Sequence, residues 1–311
     1  MRQLQIFDSL FKGVAHISAL VILGLLLTMV GALFIGAKPA IDQFGFNFIT
    51  SSHWNPVNNE FGALVPIFGT VVTSLTALII AVPISFGIAI FLTEMSWPAL
   101  KTPLSLAIEL LAAIPSIIYG MWGLFVFAPF FAKYIQPSIK AVIGDWPILG
   151  DLVQGPPIGI GIFTASLILA VMIIPFISSV LRDSFSIVPE MLKESAYGLG
   201  ATKWEVIKGV VIPYTRVNIV SGIILGLARA LGETMAVTFV IGNSHELTSS
   251  LFKAGNTISS ALANEFAEAV GELYTAALIE LGLILFLITF IVLAIANLLL
   301  LTLKKKHGAR S

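Results

Sequence analysis

Six long apolar runs, near 14 to 36, 66 to 92, 104 to 131, 158 to 181, 217 to 242 and 273 to 303, govern what this chain can fold into. Each supplies the roughly 20 residues that a helix needs to cross the hydrocarbon of a bilayer. The composition agrees: 57% of the 311 residues are hydrophobic and 11% are charged, against roughly 25% charged in an ordinary soluble domain. A transmembrane barrel would instead show short segments of alternating polarity. The first run is too long for a signal-peptide core, and the A-K-P-A after it is a poor cleavage site, so it reads as a retained helix. The expected fold class is an all-α polytopic membrane protein with six transmembrane helices.

Charge bounds the function. A formal net charge of zero leaves no basic surface for a phosphate backbone, so nucleic acid is not an expected partner. The absence of cysteine excludes disulfide frameworks and thiolate metal sites. Of 17 basic residues, Arg229 falls inside a run and Lys38, Lys133, Lys140 and Lys253 fall in three alternate loops; the other twelve share the opposite side. The positive-inside rule therefore places both termini in the cytoplasm. The outer loops are then about 37 to 65, 132 to 157 and 243 to 272. The last carries Glu246, Glu265, Glu268 and Glu272 and reads as a solvated acidic face with a short helix around Ile258 to Ala269.

Pro83, Pro115 and Pro175 lie within the second, third and fourth runs, where each removes a helix hydrogen bond and kinks the helix. Gly222 and Gly226 form a GxxxG in the fifth run, a signal of close helix packing. No internal repeat supports an inverted-repeat secondary transporter. Catalytic and metal motifs are missing too: the four histidines form no H-E-x-x-H pair, and Ser250-Leu-Phe-Lys253 lacks the companions of an S-x-x-K enzyme. There is no G-x-x-x-x-G-K-[ST], so any ATP must be bound by another chain.

About 35 residues separate the fourth and fifth runs, and the segment has helix grammar. Pro189 and Glu190 open one short helix, which Gly198 and Gly200 end. Thr202 caps a second, with Glu205 completing a capping box, and that helix runs to Pro213. Pattern alone leaves two readings of this elbow: a grip for a soluble partner, or an amphipathic connector on the membrane surface. The residues Glu194-Ser195-Ala196 through Gly198 to Gly200, then nine residues, then Val210-Val-Ile212-Pro213, resemble the EAA loop of ABC importer permeases. Ser195, Val210 and Ile212 are small or volume-similar replacements in that pattern. The runs Ala112 to Gly123, Gly226 to Val237 and Ser260 to Glu268 resemble more narrowly the PstC-type permeases of phosphate-specific ABC importers. The likeness spans about Phe61 to Leu301.

The resemblance implies a type I ABC importer (MetI-like) permease fold. Residues 1–65 would be an extra helix and outer loop, 66–303 the permease core with a coupling loop at 182–216, and 304–311 a basic cytoplasmic tail. It implies a phosphate-importing permease subunit, itself no enzyme and without cofactors, in the inner membrane. Its implied partners are a homologous second permease, two ATP-binding subunits docked on the elbow and an extracytoplasmic phosphate-binding protein, besides membrane lipid. Glu194, Ser195, Ala196, Gly198, Gly200 and Pro213 would then be the ATPase-coupling residues.

Arg229 and Glu233 lie four apart in the fifth run, on one face if the helix is continuous. An arginine in the hydrocarbon costs several kcal/mol, so it should face the bundle interior, where a guanidinium suits an oxyanion. Mutual neutralisation of the two is the competing reading. Thr70, Thr73 and Ser74 on the second run, with Ser116 and Tyr119 after Pro115, offer hydroxyls to the same pathway, although serine and threonine also bond their own helix backbone. Glu109 and Glu280 are placed near span ends, within reach of water. The residues alone say anion, leaving another oxyanion, or a stand-alone secondary anion transporter, as alternatives.

Overall fold

A computed structural model describes residues 2–147 and 149–308, with side-chain surroundings from 10 to 302 apart from 98 and 148. Residues 309–311 of the basic tail, including Arg310, lie outside the described residues. The chain is helical, in the order α1 (Arg2–Phe44), α2 (Leu64–Met95), α3 (Pro98–Ala113), α4 (Ser116–Ile143), α5 (Ile162–Ser186), α6 (Glu190–Gly198), α7 (Lys203–Leu231), α8 (Met235–Ile241), α9 (Ile258–Glu265) and α10 (Glu272–Gly308). Among the described residues, six of these helices (α1, α2, α4, α5, α7 and α10) are long and apolar enough to cross a membrane. It is a multi-pass membrane protein.

The centre of the bundle is α5, whose Ile168, Leu169, Ile173, Ile177, Leu181 and Phe185 are fully buried. Its longest seam is with α2, joined by Ser85 Oγ donating to the Ile174 carbonyl at 3.2 Å. The Gly222/Gly226 pair lets α7 approach it closely, since a Cβ at Gly226 would meet Ile177 at 2.6 Å. At the opposite edge α1 lies along α10, with Gly36 against Ile279. The rest of α1 exposes Leu20, Ile22 and Leu27, each over 60% accessible, a surface that only lipid or a further protein can cover.

The third and fifth runs are each interrupted, and the crossing helix of the third continues past 131 to Ile143. The third run is two helices, because Pro115 lacks an N–H and pushes Ile114 out of the helical region to ψ 129°. The crossing helix therefore starts at Ser116 instead of 104, and Pro115 is a break where a kink is expected. Tyr119 Oη spans the break by donating to the Leu111 carbonyl at 2.8 Å. The fifth run is also cut: α7 ends at Leu231, and Gly232 to Thr234 separate it from α8. Conversely, the elbow's second arm does not end at Pro213. It passes through a π-turn at Ile207–Val211, which places Pro213 at the start of the next α-helical stretch, and continues to Leu231 as α7.

Three loops interlock at the end of the bundle away from the elbow. Leu251 N donates to Leu152 O at 2.8 Å, Ile162 N to Lys253 O at 3.1 Å, and Trp54 Nε1 to Glu265 Oε2 at 2.7 Å. The Gly69 turn of α2 presses on this cap so closely that a Cβ there would overlap the Asn256 carbonyl oxygen.

Candidate functional site

The elbow is built by its caps. Helix α6 ends in a Schellman motif: Ala201 N donates to Ala196 O at 3.1 Å and Gly200 N to Tyr197 O at 2.9 Å, with Gly200 at φ +87°. Gly198 is still helical, so Gly200 alone turns the chain. Thr202 and Glu205 then form the expected capping box, the Thr202 N–H donating to Glu205 Oε2 at 2.7 Å. Glu194, Ser195 and Pro213 are exposed, and Ala196 is half-buried beneath the turn. Around them stand Met191, Leu199 and Trp204, accessible at 72%, 90% and 61%. An apolar knob this open beside an exposed carboxylate marks a contact surface, for a protein or for the membrane.

One buried ion pair ties the elbow to the bundle. Lys193 Nζ lies 2.8 Å from Glu94 Oε1, with both side chains under a tenth exposed. Nothing in the sequence marks this pair, because its members are 99 residues apart.

At the far end of α7, Arg229 is exposed on the isolated chain. Its guanidinium lies 5.9 Å from the Phe176 ring centroid, within cation–π range. The break at Gly232 removes the shared helical face expected for Arg229 and Glu233, and no ion pair joins them among the described residues. Glu233 instead caps the next helix, its Oε1 accepting from Ala236 N at 3.2 Å at the start of α8. Arg229 occupies the last turn of α7, where the helix dipole favours a cation.

The expected hydroxyls do not gather around Arg229 as free donors. Thr70 Oγ1 donates to Pro66 O at 2.7 Å and accepts from Ile258 N at 3.0 Å, while Thr73 Oγ1 donates to Gly69 O at 2.7 Å. Both are buried and act as internal ties. Ser74 Oγ is buried without a partner, Ser116 is half-buried at the start of α4, and the Tyr119 hydroxyl is committed to Leu111. Glu280 does not reach water: it is 6% exposed, and its Oε2 has no partner among the described residues. Glu109 is half-exposed and pairs with Arg182 at 3.0 Å.

In the cap, Glu246, Glu268 and Glu272 are solvated as expected, but Glu265 is not. Its carboxylate gathers Trp54 Nε1, Tyr274 Oη and His245 Nε2, each at 2.7 Å. His245 stacks on Trp54, with centroids 5.1 Å apart and planes 3° from parallel. Burial opposes ionisation of Glu265, yet the hydrogen bonds from His245, Tyr274 and Trp54 prevail and hold its carboxyl below the usual range. The hub joins the loop after α1, the loop after α8, α9 and α10.

Comparison with known proteins follows the same geometry. Residues 85–305 match the model of the family described as binding-protein-dependent transport system inner membrane component. The phosphate transport system permease protein PstC of Mesorhizobium japonicum is 54% identical, covering 99% of this chain and 94% of its own. The PstC of Pasteurella multocida is 56% identical over 98% of this chain and 95% of its own. A probable PstC of Methanocaldococcus jannaschii is 37% identical over 91% and 90%. Among solved structures, a chain of a bacterial ABC transporter that imports the acidic polysaccharide alginate superposes with TM-score 0.57 at 17% identity, over 90% of this chain and 94% of that one. A chain of the inward-facing MetNI methionine ABC transporter gives 0.54 at 13%, over 76% and 93%. These last two similarities are of fold, a MetI-like ABC permease fold.

Proposed function

The chain belongs to the PstC family of phosphate transport system permeases, within the binding-protein-dependent transport system inner membrane components, and we propose that it forms one half of the pathway of an ATP-driven phosphate importer. The observation that carries the substrate is identity above half with phosphate permeases along nearly the whole chain. The chain is a transport subunit, with ATP hydrolysis supplied by separate subunits. Its partners in this reading are a homologous permease, two ATP-binding subunits and an extracytoplasmic phosphate-binding protein. In this reading the elbow lies in the cytoplasm with both termini, an orientation supported by the basic asymmetry, and the interlocked cap faces outward in an inner membrane.

The mechanism follows from the continuity of α7. Its first turns are the elbow's second arm and its last turn carries Arg229, so movement imposed on the elbow is delivered along one helix. At 1.5 Å per residue the distance is roughly 39 Å. Arg229 meets the anion as a permanently charged, fork-shaped donor. Phe176 and the C-terminal dipole of α7 support the guanidinium when no anion is present. Glu233 holds the start of α8 beside it, and the half-buried Ser116 at the start of α4 offers a hydroxyl to the pathway.

The deciding experiment reconstitutes the complex in liposomes with the binding protein outside and ATP inside. Phosphate-loaded binding protein should stimulate ATP hydrolysis and phosphate entry together. Stimulation by a sulfate-loaded protein instead would move the reading to another oxyanion, and phosphate entry by the chain without ATPase would overturn it.

A further inference from the structure

The Lys193–Glu94 pair has a position that packing alone does not require. Lys193 is the one buried basic residue among the described residues, and its partner sits at the end of a different membrane-spanning helix. The backbone of α6 lies against the first turns of α7, and this ion pair joins it to α2. The last five residues of α2, Phe91–Met95, form a π-turn. Glu94 lies inside this π-turn, where the wider backbone repeat changes the direction of the side chains it carries, and its carboxylate meets the Lys193 ammonium. Glu190 lies 3.7 Å from the same ammonium but is 79% exposed, so water screens it and it cannot replace Glu94.

We propose that Lys193 and Glu94 are a positioning pair that transmits movement of the elbow to α2, in parallel with the covalent route through α7. The proposal rests on the elbow being the ATPase-coupling element. Two opposite charges with little access to water hold a fixed separation, because pulling them apart leaves each uncompensated. A push on α6 therefore reaches Glu94, and from there α2, which is bonded to the central helix through Ser85. The elbow then drives two helices together: α7, whose last turn carries Arg229, and α2, whose upper turns brace the cap through Thr70. A flexible or water-filled contact at the same place would let α2 lag behind.

The test uses the whole complex in proteoliposomes, with the ATPase co-purified on a tag carried by this chain. Lys193→Met and Glu94→Gln should each leave ATPase recovery at the parental level. The stimulation of ATP hydrolysis by phosphate-loaded binding protein, and the phosphate moved per ATP, should fall at least about fivefold, the lower end of typical inter-site coupling. Lys193→Arg should retain most of both quantities. The reversed pair, Lys193→Glu with Glu94→Lys, should recover more than half of the stimulation lost in the single variants. Unchanged phosphate per ATP in the single variants would overturn the proposal, showing the pair to be passive. So would loss of ATPase recovery, which makes the pair a docking or folding contact, or failure of the reversed pair to recover stimulation. If the parental complex itself is not stimulated by phosphate-loaded binding protein, the importer reading fails and the proposal falls with it, a result separable from a defect confined to the variants.

Discussion

Replacing Gly200 isolates backbone geometry from side-chain size. Its φ of +87° closes the Schellman motif at the end of α6, yet no atom lies within 4 Å of where a Cβ would stand. A substituent there meets open space, so its cost is conformational. An L-residue in the left-handed region pays about 1–2 kcal/mol, and a β-branched one pays more because both γ branches crowd the backbone. Asparagine pays least, since its short polar side chain tolerates that region. At 1.4 kcal/mol per decade, a cost near 2 kcal/mol lowers the fraction of correctly turned elbows by about 30-fold wherever the local structure has no reserve. The order of function should be Gly, then Asn, then Ala, then Val. Gly200→Val should remain in the membrane, because the helices that span it are untouched, while ATPase co-purification and phosphate uptake collapse together. Equal damage from Asn, Ala and Val would refute the argument by pointing to side-chain bulk at a docking surface, and undiminished uptake by Val would show that the turn has no part in coupling.

Arg229→Gln keeps length and hydrogen-bonding capacity but not charge, and should abolish phosphate uptake in an assembled complex. Glu233→Gln still offers an oxygen to Ala236 N and should act mildly, whereas Glu233→Ala should cost about 1 kcal/mol of local stability by removing a helix-start acceptor; uptake assays of the double variant should show the two residues contributing independently. For orientation, a cysteine in place of Val57, 89% exposed, should react with an impermeant thiol reagent from outside and one in place of Lys203 only from inside, while the buried Asn256 should be unreactive from either side. Glu265 has a lowered folded pKa, so the stability it supplies is complete above its ordinary value near 4.3 and is lost as pH falls through the lowered one. Melting curves of the detergent-solubilised protein should show that acid loss, and Glu265→Gln should be destabilised by about 2 kcal/mol near pH 7 with a flatter acid limb. Gly69→Ala forces a methyl into the Asn256 carbonyl and should cost about 3 kcal/mol or more, seen as a lower melting temperature and poor recovery from membranes.

The membrane-spanning helices were legible because hydrocarbon demands long apolar runs, and the elbow because its caps are local: Thr202 with Glu205, and a glycine where the chain must turn. The breaks were harder. Pro115 stood in the sequence as a kink, and its consequence depended on Ile114 adopting an extended conformation that Tyr119 then braced. Gly232 gave less warning, since one glycine in an apolar run is common in membrane helices. What could not be read were pairings across the fold. Glu265 looked like one more solvated carboxylate until Trp54, 211 residues earlier, was brought to it. Lys193 looked like a surface lysine in a polar elbow until α2 placed a carboxylate against it.

The break after Leu231 also changes how an arginine can stand in a transport pathway. On a continuous helix it would need a carboxylate one turn away, and an anion would then compete with that carboxylate for the guanidinium. At a helix end the helix dipole supplies diffuse negative potential instead, and the Phe176 ring adds a soft contact. Neither blocks the guanidinium hydrogen-bonding fork. On the proposed pathway Arg229 is thus stabilised when empty and free to bind bidentately when an anion arrives, and because α7 is one helix from elbow to Arg229, any motion that tilts α7 moves this support with the charge it holds.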